Sequence, residues 1–334
     1  MSLRTRLLVV AAAAALASLA ACAAPHARTS GNAAPGPTVT TAPPSAMAST
    51  PSVSTVGVAV PSSYRFVGGN TAVMYRPDGH TSVVDLNRFD RDGNLGETAT
   101  ISPDGSKIAY VDGATGTLAL ANLDGTDKVT TKIMLAQCGA PVWSPDSRRV
   151  LFVENSSHNT IETVNADGSG RMVIDAGGGC WPIFSVDGSR IAFVDRLTSA
   201  LALTDPVARG GHRTVVATTR KIRTVMSISA DGHAIVDVRP TGGCGCDDGL
   251  RHWSLQSPNV LDLTTGKLTP LTNAIGRVDS AYYMSGGGMV QMIYGRQGEP
   301  PARLVVMGPD GQIATSYANP IGKITKYFLA FAGI

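Results

Sequence analysis

Between Arg239 and Trp253 the chain reads RPTGGCGCDDGLRHW, which crowds Cys244, Cys246, Asp247, Asp248 and His252 into one short stretch. Thiolates and carboxylates so closely spaced are the donor types of a zinc site. In an exported chain, however, cysteines are oxidised to disulfides, and a lone C-x-C does not specify a metal. A metal-binding protein therefore stands as an alternative reading, and no metal ligand is assigned. Cys138 and Cys180 lie elsewhere; with Cys22 set aside for the reason given below, an even set of four cysteines remains, enough for two bridges. Linear signatures of catalysis are missing. Gly168-Ser169-Gly170 lacks the G-x-S-x-G spacing of a nucleophile elbow, and no HExxH, P-loop or dinucleotide fingerprint occurs. His158 and His252 show no base-and-orienter arrangement around them and read as surface loop residues. No catalytic residue and no cofactor is assigned.

The elements that must position these residues come from a motif that returns four times, at Ser102, Ser144, Ser185 and Ser229, with spacings of 42, 41 and 44 residues. The copies read ATISPDGSKIAYVDG, PVWSPDSRRVLFVEN, PIFSVDGSRIAFVDR and MSISADGHAIVDVR. A period of this length fits one four-stranded propeller blade per repeat. In the first copy Pro103 presets φ for a turn and Gly105 supplies the left-handed residue that closes a hairpin. The strand that follows is apolar on both faces, as in Val150-Leu151-Phe152-Val153 and Ile191-Ala192-Phe193-Val194, so it must be covered twice. The Asp-Gly pairs at 104, 124, 167, 187, 231 and 310 lack alternating acidic ligands and read as hairpin turns rather than calcium loops. Weaker copies at Tyr64 to Asn87 and Ala281 to Tyr317, the latter with Ser285-Gly286-Gly287-Gly288 at the motif position, give six blades. The apolar KITKYFLAF (323 to 331) is expected to close the ring, with the start of a seventh blade as the alternative.

In a blade, the loop leading into the first strand and the loop between the second and third strands open on the same side, because two antiparallel strands return the chain to where it began. All four cysteines fall on that side, together with Trp181, Asp247, Asp248, His252 and the residues ten positions after each motif serine: Asp112, Glu154, Asp195 and Arg239. This is the candidate binding face. Cys244 to Cys246 closes a very small, strained ring, and equivalent entry positions of adjacent blades are too far apart for Cys138 to Cys180 unless their loops converge, so the long loop of the fifth blade is expected to be stapled to Cys138 and Cys180. Counting from the motif serine places Asp237 at the aromatic position held by Tyr110, Phe152 and Phe193; a buried carboxylate there needs Arg223 or Arg239 as partner, or a locally altered blade.

The repeats, a W-S-P-D-G-type turn followed by an I-A-F-type strand, resemble those of TolB-like propellers over roughly residues 64 to 334. The resemblance implies an all-β propeller fold; its motifs are turn and core, so it implies no catalytic set. The stretch ahead of the propeller is expected to be too short for the α/β domain that precedes it in TolB.

A lipid-attachment signal occupies that place. Arg4 and Arg6 precede an apolar stretch from Leu7 to Leu16, and Leu19-Ala20-Ala21-Cys22 reads as a bacterial lipobox. Residues 1–21 are then a lipoprotein signal peptide, Cys22 the lipidated (palmitate-bearing) N-terminus, 22–60 an Ala/Pro/Ser/Thr-rich linker and 61–334 the propeller. The linker has no aromatic residue and no Asp, Glu or Lys, so it is expected to build no core, and it has an r.m.s. reach of roughly 35 Å as a flexible chain. Three of the 28 Lys and Arg and none of the 25 Asp and Glu precede residue 64, which leaves 25 against 25 in the propeller. A neutral domain lacks the net basic charge of a nucleic-acid binder, so none is expected as partner. The sequence thus points to a membrane-anchored, extracytoplasmic binding or scaffold protein of the cell envelope, with an envelope protein or small ligand as partner. A lyase or hydrolase with its site on the cysteine-bearing face is the enzymatic alternative.

Overall fold

The computed structural model describes residues 62–66, 71–75, 81–89, 99–207, 213–239, 255–294, 301–318 and 327–332. The expected signal peptide, Cys22 and the expected linker, together with Cys244, Cys246, Asp247, Asp248 and His252, lie outside the described residues.

Within these, twenty-four strands form six four-stranded antiparallel sheets. Blade one holds β1 (Ser62–Phe66), β2 (Thr71–Tyr75) and β3 (Thr81–Asp85). Blade two holds β4 (Thr100–Ile101), β5 (Lys107–Val111), β6 (Thr117–Asn122) and β7 (Val129–Met134). Blade three holds β8 (Val142–Trp143), β9 (Arg149–Val153), β10 (Ile161–Asn165) and β11 (Met172–Asp175). Blade four holds β12 (Gly179–Phe184), β13 (Ile191–Asp195), β14 (Leu201–Thr204) and β15 (Thr214–Val216). Blade five holds β16 (Ile222–Ile228), β17 (His233–Val238), β18 (Pro258–Asp262) and β19 (Leu268–Pro270). Blade six holds β20 (Arg277–Tyr283), β21 (Met289–Tyr294), β22 (Pro301–Met307) and β23 (Ile313–Ala318). The last strand, β24 (Tyr327–Ala332), pairs antiparallel with β1 and supplies the fourth strand of blade one, so it closes the ring instead of founding a seventh blade.

Each motif serine is a hairpin staple. Ser102 Oγ accepts the Lys107 N–H at 2.9 Å and donates to Asp104 Oδ1 at 2.6 Å, and Ser144 and Ser185 repeat both contacts with Arg149 and Asp146 and with Arg190 and Asp187. Packing then follows from the doubly apolar second strands. All five residues of β13 are buried: Ile191 and Phe193 join the cluster of Leu151, Val153 and Ile161, whereas Ala192 and Val194 join that of Ile222, Val225 and Val236.

Blade five departs from the count that the motif predicts. Its turn, Ser229 to His233, is one residue shorter than Ser102 to Lys107, and His233 N–H takes the Ser229 Oγ contact at 2.8 Å. Ile228 pairs with Ala234 where Ile101 pairs with Ile108, so three residues beyond the staple the aromatic position of Tyr110, Phe152 and Phe193 is filled by Val236 and not by Asp237. A one-residue slip turns a strand side chain to the other face. Asp237 accordingly sits on the blade-six side with Ile235, and Val238, not Arg239, is the counterpart of Asp112, Glu154 and Asp195. The same shortening shifts blade six. Met284 takes the serine position, donating to Gly288 O at 2.8 Å and accepting from Gly287 N–H at 3.0 Å, so Ser285 does not align with the motif.

Candidate functional site

The segment before β8, the start of β12 and the turns after β5, β9, β13 and β17 share one side of the propeller, as the alternation of antiparallel strands requires. There Cys138 and Cys180 are bonded to each other, with Cα atoms 5.2 Å apart. The expected staples from each of them to the long loop of blade five are therefore not formed. Two glycines bring the segments together: a Cβ on Gly139 would lie 3.0 Å from Val153 Cγ2, and one on Gly179 only 2.4 Å from Phe193 Cδ2. Trp181 N–H then donates to Cys138 O at 2.9 Å, and Asn159 Nδ2 to Cys138 Sγ at 3.6 Å.

Asp112, Glu154 and Asp195 stand at the expected turns, but each is held by a cation of its own blade. Lys128 Nζ lies 2.5 Å from Asp112, Arg171 Nη2 2.5 Å from Glu154 and Arg213 Nη1 2.7 Å from Asp195. Arg171 also reaches Glu162 at 2.5 Å. Each cation immediately precedes the outer strand of its blade, β7, β11 or β15, at 16, 17 and 18 residues from its acid. That spacing is a signal the sequence carried and reading from the serine motif missed.

Asp112 and Asp195 also cap their own turns, accepting the N–H groups of Ala114 and Thr115 and of Leu197 and Thr198 respectively. The Lys128 hydrogen bond leads in holding the Asp112 carboxyl below its ordinary range, against burial. At Asp195 burial is the largest influence and pushes upward, yet the Thr198 contacts and the Arg213 charge together carry the carboxyl below its usual value. The same contact in reverse raises Lys128.

Strand register assigns the corresponding pair in blade five to Val238 and Leu268, both in one apolar cluster. An ion pair in blades two, three and four is thus an apolar pair in blade five, an exchange that costs little when both partners change together.

Asp237 is fully buried and pairs with Arg223, the first of the two expected partners. Its other oxygen, Oδ1, accepts the Gln256 and Ser257 N–H groups at 3.1 and 2.6 Å. At the opposite root, Arg220 Nη2 donates to Arg239 O at 2.7 Å and Arg239 N–H to Lys221 O at 2.9 Å. The buried pair and the Arg220 contact therefore fix both ends of the segment that carries Cys244 to His252. Trp181 is half-buried against the cluster of blades four and five.

The arrangement offers bound cations, capped acids and one aromatic, the makings of a rigid recognition surface. Cys138 and Cys180 are oxidised, and among the described residues no three His, Cys, Asp or Glu side chains group as metal ligands. His158 is exposed, with its Nδ1 2.9 Å from the hydroxyl of the adjacent Ser157.

No protein-family model and no curated protein matches the chain. Among solved structures, TolB from Acinetobacter baumannii superposes with a TM-score of 0.55 at 20% identity, over 80% of this chain and 66% of that one. This chain thus spans just under two thirds of that TolB's length. A putative TolB from Agrobacterium tumefaciens is similar at 15% identity over 63% of this chain and 76% of that one, with a TM-score of 0.49. An oligogalacturonate lyase in complex with manganese aligns at 14% identity over 77% and 78% of the two chains, with a TM-score of 0.46. Identities this low speak for fold alone. In fold, the chain is a TolB-like β-propeller of six blades.

Proposed function

We propose that this chain is a lipid-anchored, extracytoplasmic β-propeller that serves as a non-catalytic binding or scaffold protein of the cell envelope, with the cysteine-bearing face as its recognition surface. The observation that supports this most is preorganisation. The Cys138–Cys180 bridge and the three acid–cation pairs tie down the turns of that face, so a partner meets a surface with little conformational entropy left to lose. The bridge also suits an oxidising compartment, in accord with the lipobox at Cys22.

The test uses the lipidated protein in vesicles exposed to envelope extract. A partner retained in stoichiometric amount should be lost with Trp181→Ala and kept with Asp310→Ala, whose turn lies on the other side of the ring. Retention insensitive to Trp181 overturns the assignment of the face. Cys22→Ala should leave the protein unlipidated and out of the membrane fraction; unmodified wild type free in the medium, cleaved elsewhere, overturns the anchor.

A further inference from the structure

Among the described residues, five without a glycine's freedom have positive φ: Asp127, Ser147, Asn159, Trp181 and Ser199. Four are small polar residues, the kind that tolerates the left-handed region. Trp181, at φ 59°, is not. It also precedes Pro182, and a proline further restricts the backbone of the residue before it. The register shows the reason for the conformation: Cys180 pairs with Val194 and Ile183 with Ala192, so Trp181 and Pro182 together oppose Phe193 in a bulge. Bulges of this kind ordinarily place glycine at the left-handed position.

What holds the bulge is concentrated on Cys138. Its carbonyl accepts the Trp181 N–H at 2.9 Å, its sulfur is bonded to the residue before Trp181, and that sulfur accepts Asn159 Nδ2, another left-handed residue. Gly178, at φ 87°, comes within the same group, since a Cβ there would lie 2.6 Å from His158 O. Both cysteines are half-buried rather than sealed in the core.

We propose that the Cys138–Cys180 bridge is a redox-sensitive catch that holds Trp181 in its left-handed bulge against the apolar cluster of blades four and five, and that opening it lets this segment relax. The opening reagent is a dithiol: its own S–S bond forms as it loses two electrons and two protons, while the Cys138–Cys180 S–S bond breaks and each cysteine gains one electron and one proton. Closed, the catch presents the indole in one fixed pose; open, the Trp181 N–H is no longer tied to Cys138 and the backbone can return to extended φ. The inference stands apart from the choice of ligand, because its readout is the backbone of the segment itself.

Hydrogen exchange read by mass spectrometry on the full chain tests it, before and after treatment with a dithiol, with bridge opening verified by thiol count. Amides of 138–143 and 179–184 should exchange roughly tenfold faster once the bridge is open, while those of β5 in blade two stay as they were. Unchanged exchange in an opened bridge overturns the catch, and so does acceleration shared equally by all blades, which marks a global staple. Trp181→Gly supplies the second arm, because glycine adopts the left-handed conformation without cost. In that variant reduction should accelerate 179–184 much less than in wild type; an equal acceleration overturns the role of the strained tryptophan.

Discussion

Replacing Cys138 and Cys180 together by serine removes a cross-link across 42 residues that encloses the whole of blade three, from before β8 to the first residues of β12. In the chain-entropy account, a loop of that length restrains the unfolded state by about 4 kcal/mol at room temperature. The native side of the balance offsets part of this, since a residue held in a sparsely populated backbone region costs about 1–3 kcal/mol, and Trp181 can shed that cost once the bridge is absent. The entropic term is the larger, so the variant should be less stable than the oxidised wild type by about 1–3 kcal/mol. Urea unfolding of the two proteins measures it, and the wild type's unfolded state, still cross-linked and more compact, should give the smaller m-value. Equal or greater stability in the serine variant refutes the reasoning. A loss of the full 4 kcal/mol or more removes the offset, and with it the claim that Trp181 is strained.

Phe193→Ala should cost about 3–5 kcal/mol through lost burial and the cavity it leaves between blades three and four, and Asp124→Ala far less; similar losses in denaturant melts contradict the blade assignment. Because Asp112 and Asp195 ionise more readily in the folded chain, their contribution is complete above the unfolded carboxylate value of about 3.9 and is lost as pH falls through the folded values below it. Lys128→Met should make the acid limb of stability against pH shallower below about pH 4, and an unchanged limb refutes the pairing. Val238→Asp alone should cost about 3 kcal/mol or more by burying an unpaired carboxylate, and adding Leu268→Arg should recover part of it; strict additivity of the two changes shows that these positions are not counterparts of the ionic pairs.

Turn chemistry and doubly apolar strands were plain in the sequence because each is local: a serine, an aspartate and a glycine within four residues state the hairpin, and Phe152 and Phe193 state the core. What counting from the serine could not register was a turn shorter by one residue. At Ser229 that single omission moved Asp237 off the aromatic position and put Val238 where Arg239 was expected, although the strand looked unaltered by composition. The candidate face was legible as a side of the ring but not in its internal pairing. Lys128, Arg171 and Arg213 stand before the outer strands while their acids stand at the ends of the second strands, and the approach of Cys138 to Cys180 depends on the lack of a side chain at Gly139 and Gly179 and on a tryptophan in a glycine's conformation.

The pairing of β24 with β1 also sets an order of events. The three strands that open blade one are the first of the propeller to be made, yet their fourth partner, Tyr327–Ala332, comes last, after the other five blades have been made. Until it arrives, one hydrogen-bonding edge of β1 has no strand of its own sheet beside it, and an open edge is a template for any passing strand. Closing it joins residues from opposite ends of the propeller, the longest loop this domain has to close and so the entropically slowest step of its assembly. A chain stopped short of Tyr327 keeps five blades and an unfilled place in the first. A second copy's last strand has the right sequence to fill it, which makes exchange of that strand between copies the characteristic failure of a truncated or slowly finished molecule.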